Sequence, residues 1–329
     1  MGIIETFFAV AQKVGLLAIL ISVGFLCQRI KFLNEQTNKN LANIIMYFVT
    51  PCVIINAFAA TEYKTEELLT ILKNIGIVAL IAFVFHFIMI LAVHLIFRLK
   101  DEDKCKVIRF ASVFSNTGFI ALPLAQALID NENCHEGALY AAVYLAVFNI
   151  LLWTYGYTLM NGNIKNITLS KIFLNPGIIG VVIGLFLFTS PLYITIGDVN
   201  GIRLPQILLD ALSNMAALNL PLPMFMIGYY LAKADILSAF KDGWLYLCVA
   251  LRLIIFPLLA LALMLTLNIG GNVFLVCVIG AAAPVGTTTT IFAAKFNRDI
   301  ELSVKLESVS TVLSLITMPL VVSIAQYLM

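Results

Sequence analysis

The sequence is short of charge. Only 12% of its 329 residues are Asp, Glu, Lys or Arg, while 61% are hydrophobic. A soluble domain carries roughly a quarter charged residues, so this composition excludes an ordinary soluble fold and indicates a polytopic membrane protein. A basic arm and an acidic tail are also lacking, and the net charge of +2 is spread over many loops, so nothing supports a nucleic-acid partner. The cysteines Cys27, Cys52, Cys105, Cys134, Cys248 and Cys277 have no close spacing, which argues against a disulfide or zinc framework. No aspartate falls mid-span, against an intramembrane aspartyl protease, and no Gly-x-Ser-x-Gly, His-Glu-x-x-His or Gly-x-x-x-x-Gly-Lys pattern occurs. The chain is therefore expected not to be an enzyme, and to need neither cofactor nor metal.

What is present is a series of long apolar stretches. Ten can be counted, at about 8–30, 39–60, 69–97, 107–129, 136–160, 172–190, 205–232, 243–267, 272–294 and 302–328, most of them long enough to cross a bilayer as helices. Met1 to Arg29 has no basic leader or obvious cleavage site, so it is expected as a retained first span. Basic residues set the orientation. The loops after odd-numbered spans, and the span ends beside them, carry Arg29, Lys31, Lys39, Arg98, Lys100, Lys104, Lys106, Arg109, Lys165, Lys171, Lys233, Lys241, Lys295, Arg298 and Lys305. The other side has Lys64, Lys73 and Arg203, with Lys13 near the outer end of span 1 and Arg252 within span 8. Both termini are predicted outside a cell membrane crossed many times.

Two of the stretches contain what ends a helix in water. Span 4 carries Ser115-Asn116-Thr117-Gly118-Phe119-Ile120-Ala121-Leu122-Pro123, and span 9 carries Ala283-Pro284-Val285-Gly286-Thr287-Thr288-Thr289-Thr290. Gly loosens the backbone, and Pro123 lacks an N–H and crowds the carbonyl of Phe119. Hydrocarbon cannot solvate freed backbone groups, so such interruptions survive only inside protein or beside a wet cavity. Spans 2 and 7 also match, with Thr50-Pro51 and Leu220-Pro221-Leu222-Pro223 near their middles. Five spans re-enter with opposite orientation, so the pattern predicts two inverted five-helix repeats, residues 1–165 and 166–329, with spans 4 and 9 broken and crossing at the midplane.

At such a crossing, exposed N–H groups offer partial positive charge and freed carbonyls partial negative charge. The predicted substrate-binding residues are Asn116, Thr117, Gly118, Pro123, Pro284, Val285, Gly286, Thr287 and Thr288, with Asn149, which shares a face of span 5 with Trp153 and Gly156. Ser303, Glu307, Ser310, Ser314 and Thr317 step by four and three along one face of span 10. That face either packs helices or lines a cavity; Glu307, Ser310, Ser314, Pro51 and Pro221 are retained for coupling or cavity roles. Arg252 reads as a structural anchor. His86 and His94 are two turns apart, too far for one metal ion, and read as packed or interfacial.

On these residues the sequence resembles the auxin efflux carrier family. The family pattern Pro-Asn-Thr-Gly-Phe-x-x-x-Pro is similar to Ser115 through Pro123, with Ser115 in place of the first proline. Ala281-Ala282-Ala283-Pro284 through Phe296 is similar to its second crossing region, and Thr311-x-x-Ser314-x-x-Thr317-x-Pro319 to its last span. The resemblance implies a fold like that of bile-acid symporters and sodium/proton antiporters. A scaffold domain would come from spans 1, 2, 6 and 7, and a transport domain from spans 3–5 and 8–10. It implies small organic anions as cargo, such as auxin, malonate or malate, and an elevator-type or rocking motion. Dimers occur in related folds, so a homodimer is among the expectations. A sodium- or proton-coupled symporter and a ligand-binding membrane sensor remain as alternatives.

Overall fold

The computed structural model describes residues 3–59, 61, 67–130, 136–162, 176–189, 206–233 and 242–329. Lys64, Cys134, Lys165, Lys171, Arg203 and Lys241 lie outside the described residues. The described chain is helical: α1 (Ile3–Arg29), α2 (Glu35–Ala59), α3 (Leu68–Ile96), α4 (Glu102–Val113), α5 (Thr117–Ile129), α6 (Glu136–Asn161) and α7 (Pro176–Thr189), then α8 (Gln206–Ala217), α9 (Pro221–Lys233), α10 (Gly243–Thr266), α11 (Gly271–Ala282), α12 (Thr288–Lys295) and α13 (Ile300–Leu328). Among the described residues six helical segments are long and apolar enough to cross a membrane: α2, α3, α6, the run Ile207–Lys233 formed by α8 and α9, α10 and α13. Helix α3 shows why lipid suits them. It buries Val78, Ile81, Ala82, Phe85, Met89 and Val93 on one side and exposes Leu80, Phe83, Phe87, Leu91 and Leu95 on the other, so both faces are apolar.

Three prolines inside apolar helices are absorbed without breaking them. Pro51, Pro123 and Pro257 each follow a π turn, at Ile45–Val49, Thr117–Ala121 and Leu251–Ile255. In each, the residue before the proline donates its N–H to the carbonyl five residues back: Thr50 to Ile45, Leu122 to Thr117, Phe256 to Leu251. The wider turn makes room for a ring that would otherwise strike a carbonyl. Two expectations are thereby corrected. Helix α2 runs through Thr50-Pro51 unbroken, and span 4 breaks at Phe114–Asn116, upstream of both Gly118 and Pro123. In span 7 the interruption lies at Leu218–Leu220, and Pro221 opens α9.

Helix α1 packs against α9 and α13, and α2 against α7 and α8. The α1–α9 contact is backbone to backbone: a Cβ on Gly24 would strike Phe225 O, and one on Gly228 would strike Ile21 O. Small residues are how helices approach closely when lipid supplies no hydrophobic drive. At the Lys/Arg-rich ends, Asn34, Asp101, Asp242 and Asp299 cap α2, α4, α10 and α13. Each side chain accepts an otherwise orphaned N–H. Lys104 pairs with Asp242 at 2.7 Å and Arg298 with Asp103 at 2.5 Å, tying neighbouring helix ends together.

Candidate functional site

Two interruptions meet inside the protein. Helix α4 ends at Val113, the chain is non-helical over Phe114–Asn116, and α5 starts at Thr117; likewise α11 ends at Ala282 and α12 starts at Thr288. The non-helical pieces pair antiparallel at Ser115 and Val285. Asn116 N–H donates to Pro284 O at 2.7 Å, and Gly286 N–H to Phe114 O at 3.0 Å. Backbone groups freed by one interruption are thus satisfied by the other. The fit requires glycine at 286, because a Cβ there would lie 2.7 Å from Ser115 O. Val285 N–H donates to Ser310 Oγ at 3.1 Å. Ser115 uses its hydroxyl on Thr117 Oγ1 at 2.6 Å and Gly280 O at 3.2 Å, bonds that a proline in its place could not make.

Arg252 holds the carbonyl ends of the two half-helices that stop here. Its guanidinium is fully buried. It donates to Ser112 O at 3.3 Å and Val113 O at 3.4 Å on α4. On the other side it donates to Ala283 O at 3.0 Å and to Ala281 O. The carbonyl end of a helix carries partial negative charge, so one cation answers two helix ends. Arg252 is a structural anchor, and it joins both interruptions at once.

The half-helices that start here, α5 and α12, have their N-termini beside a cavity. Ser115, Asn116, Gly118, Gly286, Thr287 and Thr288 line one side; Asn149, Leu152 and Trp153 of α6 line another. Ala42, Met46, Thr50 and Val53 of α2 face them, with Met226 of α9 and with Asn219, whose Nδ2 donates to Gly118 O at 2.9 Å. Phe119, Phe148 and Phe292 complete an apolar wall. Asn116 is 3% exposed, and its Nδ2 has no hydrogen-bond partner; nor has Thr288 Oγ1. Among the described residues no Asp, Glu, Lys or Arg lines the cavity.

Of the residues singled out in the sequence, Asn116, Gly118, Gly286, Thr287, Thr288 and Asn149 stand on this wall. Pro284, Val285 and Thr117 stand behind it, in the paired backbone and the Ser115–Thr117 contact. Pro123 lines a different cavity, with Leu16, Gln126 and Ala216. Glu307, Ser310 and Ser314 are buried among helices and do not line the cavity, and Pro51 and Pro221 are not on its wall either. Gly156 packs against Phe114. His86 binds Ala82 O through Nδ1 and stacks near Tyr144 and Phe148, a packed histidine. Asn219, Thr50 and Met226 were not singled out. The Asn two residues before Pro221 was the available signal for the first.

A family model described as membrane transport protein matches residues 9–322. An uncharacterized transporter of Methanocaldococcus jannaschii is 26% identical over 317 residues, covering 92% of this chain and 94% of that protein. A second uncharacterized transporter, from Methanothermobacter thermautotrophicus, is 22% identical over 320 residues, 95% of this chain and 98% of its own length.

Proposed function

Because the chain belongs to the membrane transport protein family, that of the auxin efflux carriers, we propose that it moves a small organic anion through the cavity beside the paired interruptions. One observation carries this reading: two helix N-termini and the unpartnered Asn116 Nδ2 converge on a mostly apolar pocket that, among the described residues, no carboxylate lines. Partial positive charge from helix N-termini, with neutral donors, suits an anion. A cationic cargo would require a buried carboxylate there. The apolar wall of Phe148, Trp153 and Phe292 suits a carbon skeleton of modest size.

The accompanying architecture is ten spans in two inverted repeats, residues 1–165 and 166–329, with the interrupted spans 4 and 9 crossing. The scaffold consists of spans 1, 2, 6 and 7; the packing of α1 on α9 and of α2 on α7 and α8 supports it. Spans 3–5 and 8–10 form the part that moves, elevator-like, with both termini outside the cell membrane and a homodimer as the assembly. With an inside-negative potential, each net negative charge leaving gains roughly 2.3 kcal/mol per 100 mV, so efflux needs no further driving ion.

Reconstitution into proteoliposomes with labelled malonate, malate and indole-3-acetate tests the reading. Saturable flux of at least one acid is expected, weakened in Asn116→Ala. Binding of an acid without flux would favour a sensor, and flux that required sodium would favour a symporter.

A further inference from the structure

Glu307 lies on α13 with 1% of its surface exposed. Its Oε2 accepts from Thr290 Oγ1 at 2.6 Å, while Oε1 is buried with no hydrogen-bond partner. Among the described residues no cation forms an ion pair with it. The groups on the helices packed around α13 are otherwise engaged. Arg252 of α10 is spent on four carbonyls, and Cys248 lies on Ser112. Arg109 and Cys105 of α4 bind Phe97 O. Lys295 of α12 lies over Trp153, Lys233 of α9 binds Tyr229 Oη, and Arg29 of α1 covers Phe25. Cys277 of α11 is buried beside Tyr144. Tyr230 of α9, itself neutral as a phenol, is the titratable group within electrostatic reach.

An ionised carboxylate in such a place has lost its water and gained only neutral threonine hydroxyls, whereas the neutral acid leaves only a weak polar group unmatched. Its surroundings are also tied to the moving parts. Thr290 stands on α12 two residues from Thr288 of the cavity wall, and Ser310, one turn beyond Glu307, accepts the Val285 N–H inside the second interruption.

We propose that Glu307 is a proton-binding site: it holds one proton as the neutral acid in this arrangement, and releases it to water when the moving part shifts against α1 and α9 and the carboxyl is hydrated. The proposal rests on the carrier reading and adds to it that one proton is bound and released per transport cycle. Infrared pH titration of the whole protein in lipid nanodiscs reads the site without any cargo. A protonated-carboxyl absorption is expected at neutral pH, absent from Glu307→Gln and shifted in frequency in Thr290→Val. Identical wild-type and E307Q spectra in that region at neutral pH would overturn the assignment. In proteoliposomes loaded with a pH-sensitive dye, labelled malonate flux is expected to be accompanied by proton movement in wild type. E307Q should keep malonate flux while its proton movement is lost; proton movement unchanged in E307Q would sink the coupling. Wild-type protein that moves no malonate, yet shows the infrared band, would count against the cargo and leave the proton site standing.

Discussion

Asn116 and Pro284, one from each half of the chain, share a backbone hydrogen bond of 2.7 Å. With its companion from Gly286 to Phe114 O, this bond lets two unwound segments exist inside a membrane protein, because each supplies the partner that lipid cannot. The cavity depends on it: the same two segments carry Asn116, Gly286 and Thr287 on its wall.

Gly286→Val is therefore expected to disrupt the site. Its Cβ would meet Ser115 O at 2.7 Å, and the backbone on the other side is fixed by the same pairing. Loss of about 2 kcal/mol or more is expected, in the range for overpacked positions, with transport abolished. Gly118→Ala is the control, since its Cβ would lie 3.4 Å from the Leu145 side chain. Thermal unfolding in detergent should separate the two.

Arg252→Gln should cost more stability than any other single change at the site. It leaves buried carbonyls on α4 and α11 without their donor, and each buried acceptor left unsatisfied typically costs about 1–3 kcal/mol. Arg252→Lys should fall between, because an ammonium cannot span both helix ends as a guanidinium does. If R252Q melts with the wild type, the anchoring role is wrong.

Asn116→Ala should behave in the opposite way. Its Nδ2 has no partner in the protein, so stability should change by less than about 1 kcal/mol. Affinity for the transported acid should fall roughly tenfold or more, as expected on losing a hydrogen bond to a charged group. Flux measured against acid concentration checks this, and an unchanged half-saturation would remove Asn116 from the binding site.

Acid should weaken the Lys104–Asp242 clasp at the Lys/Arg-rich end. Burial pushes the Asp242 carboxyl up, but the Lys104 ammonium and the N–H groups of Trp244 and Leu245 together hold it below its ordinary value of 3.8. A depressed carboxylate stabilises the fold above that value, and the contribution disappears as pH falls through the lower folded one. The step is worth about 1 kcal/mol or less, given its partial exposure. Asp242→Asn should flatten the fall in stability below pH 3.8 on the order of that amount.

Much was determined by the sequence alone. Low charge and long apolar runs required helices in lipid, since a spanning chain must satisfy its own backbone, and Asn116 with Gly286 marked where that backbone would open. Local pattern failed where distant groups decide the outcome. Pro51 and Pro123 looked like breakers, yet a π turn absorbs each within one helix, because five-residue bonding relieves the ring clash at little cost to neighbours. Asn219 reached the wall only because the interruption before Pro221 lies against Gly118. The span-10 stripe was visible at its spacing of three and four, but only packing set Glu307 against Thr290, just behind the residues that line the cavity. Arg252 read as an anchor; that it gathers carbonyls from two half-helices some 30 and 140 residues away is a fact of tertiary structure, because no local rule says which helix ends one cation will meet.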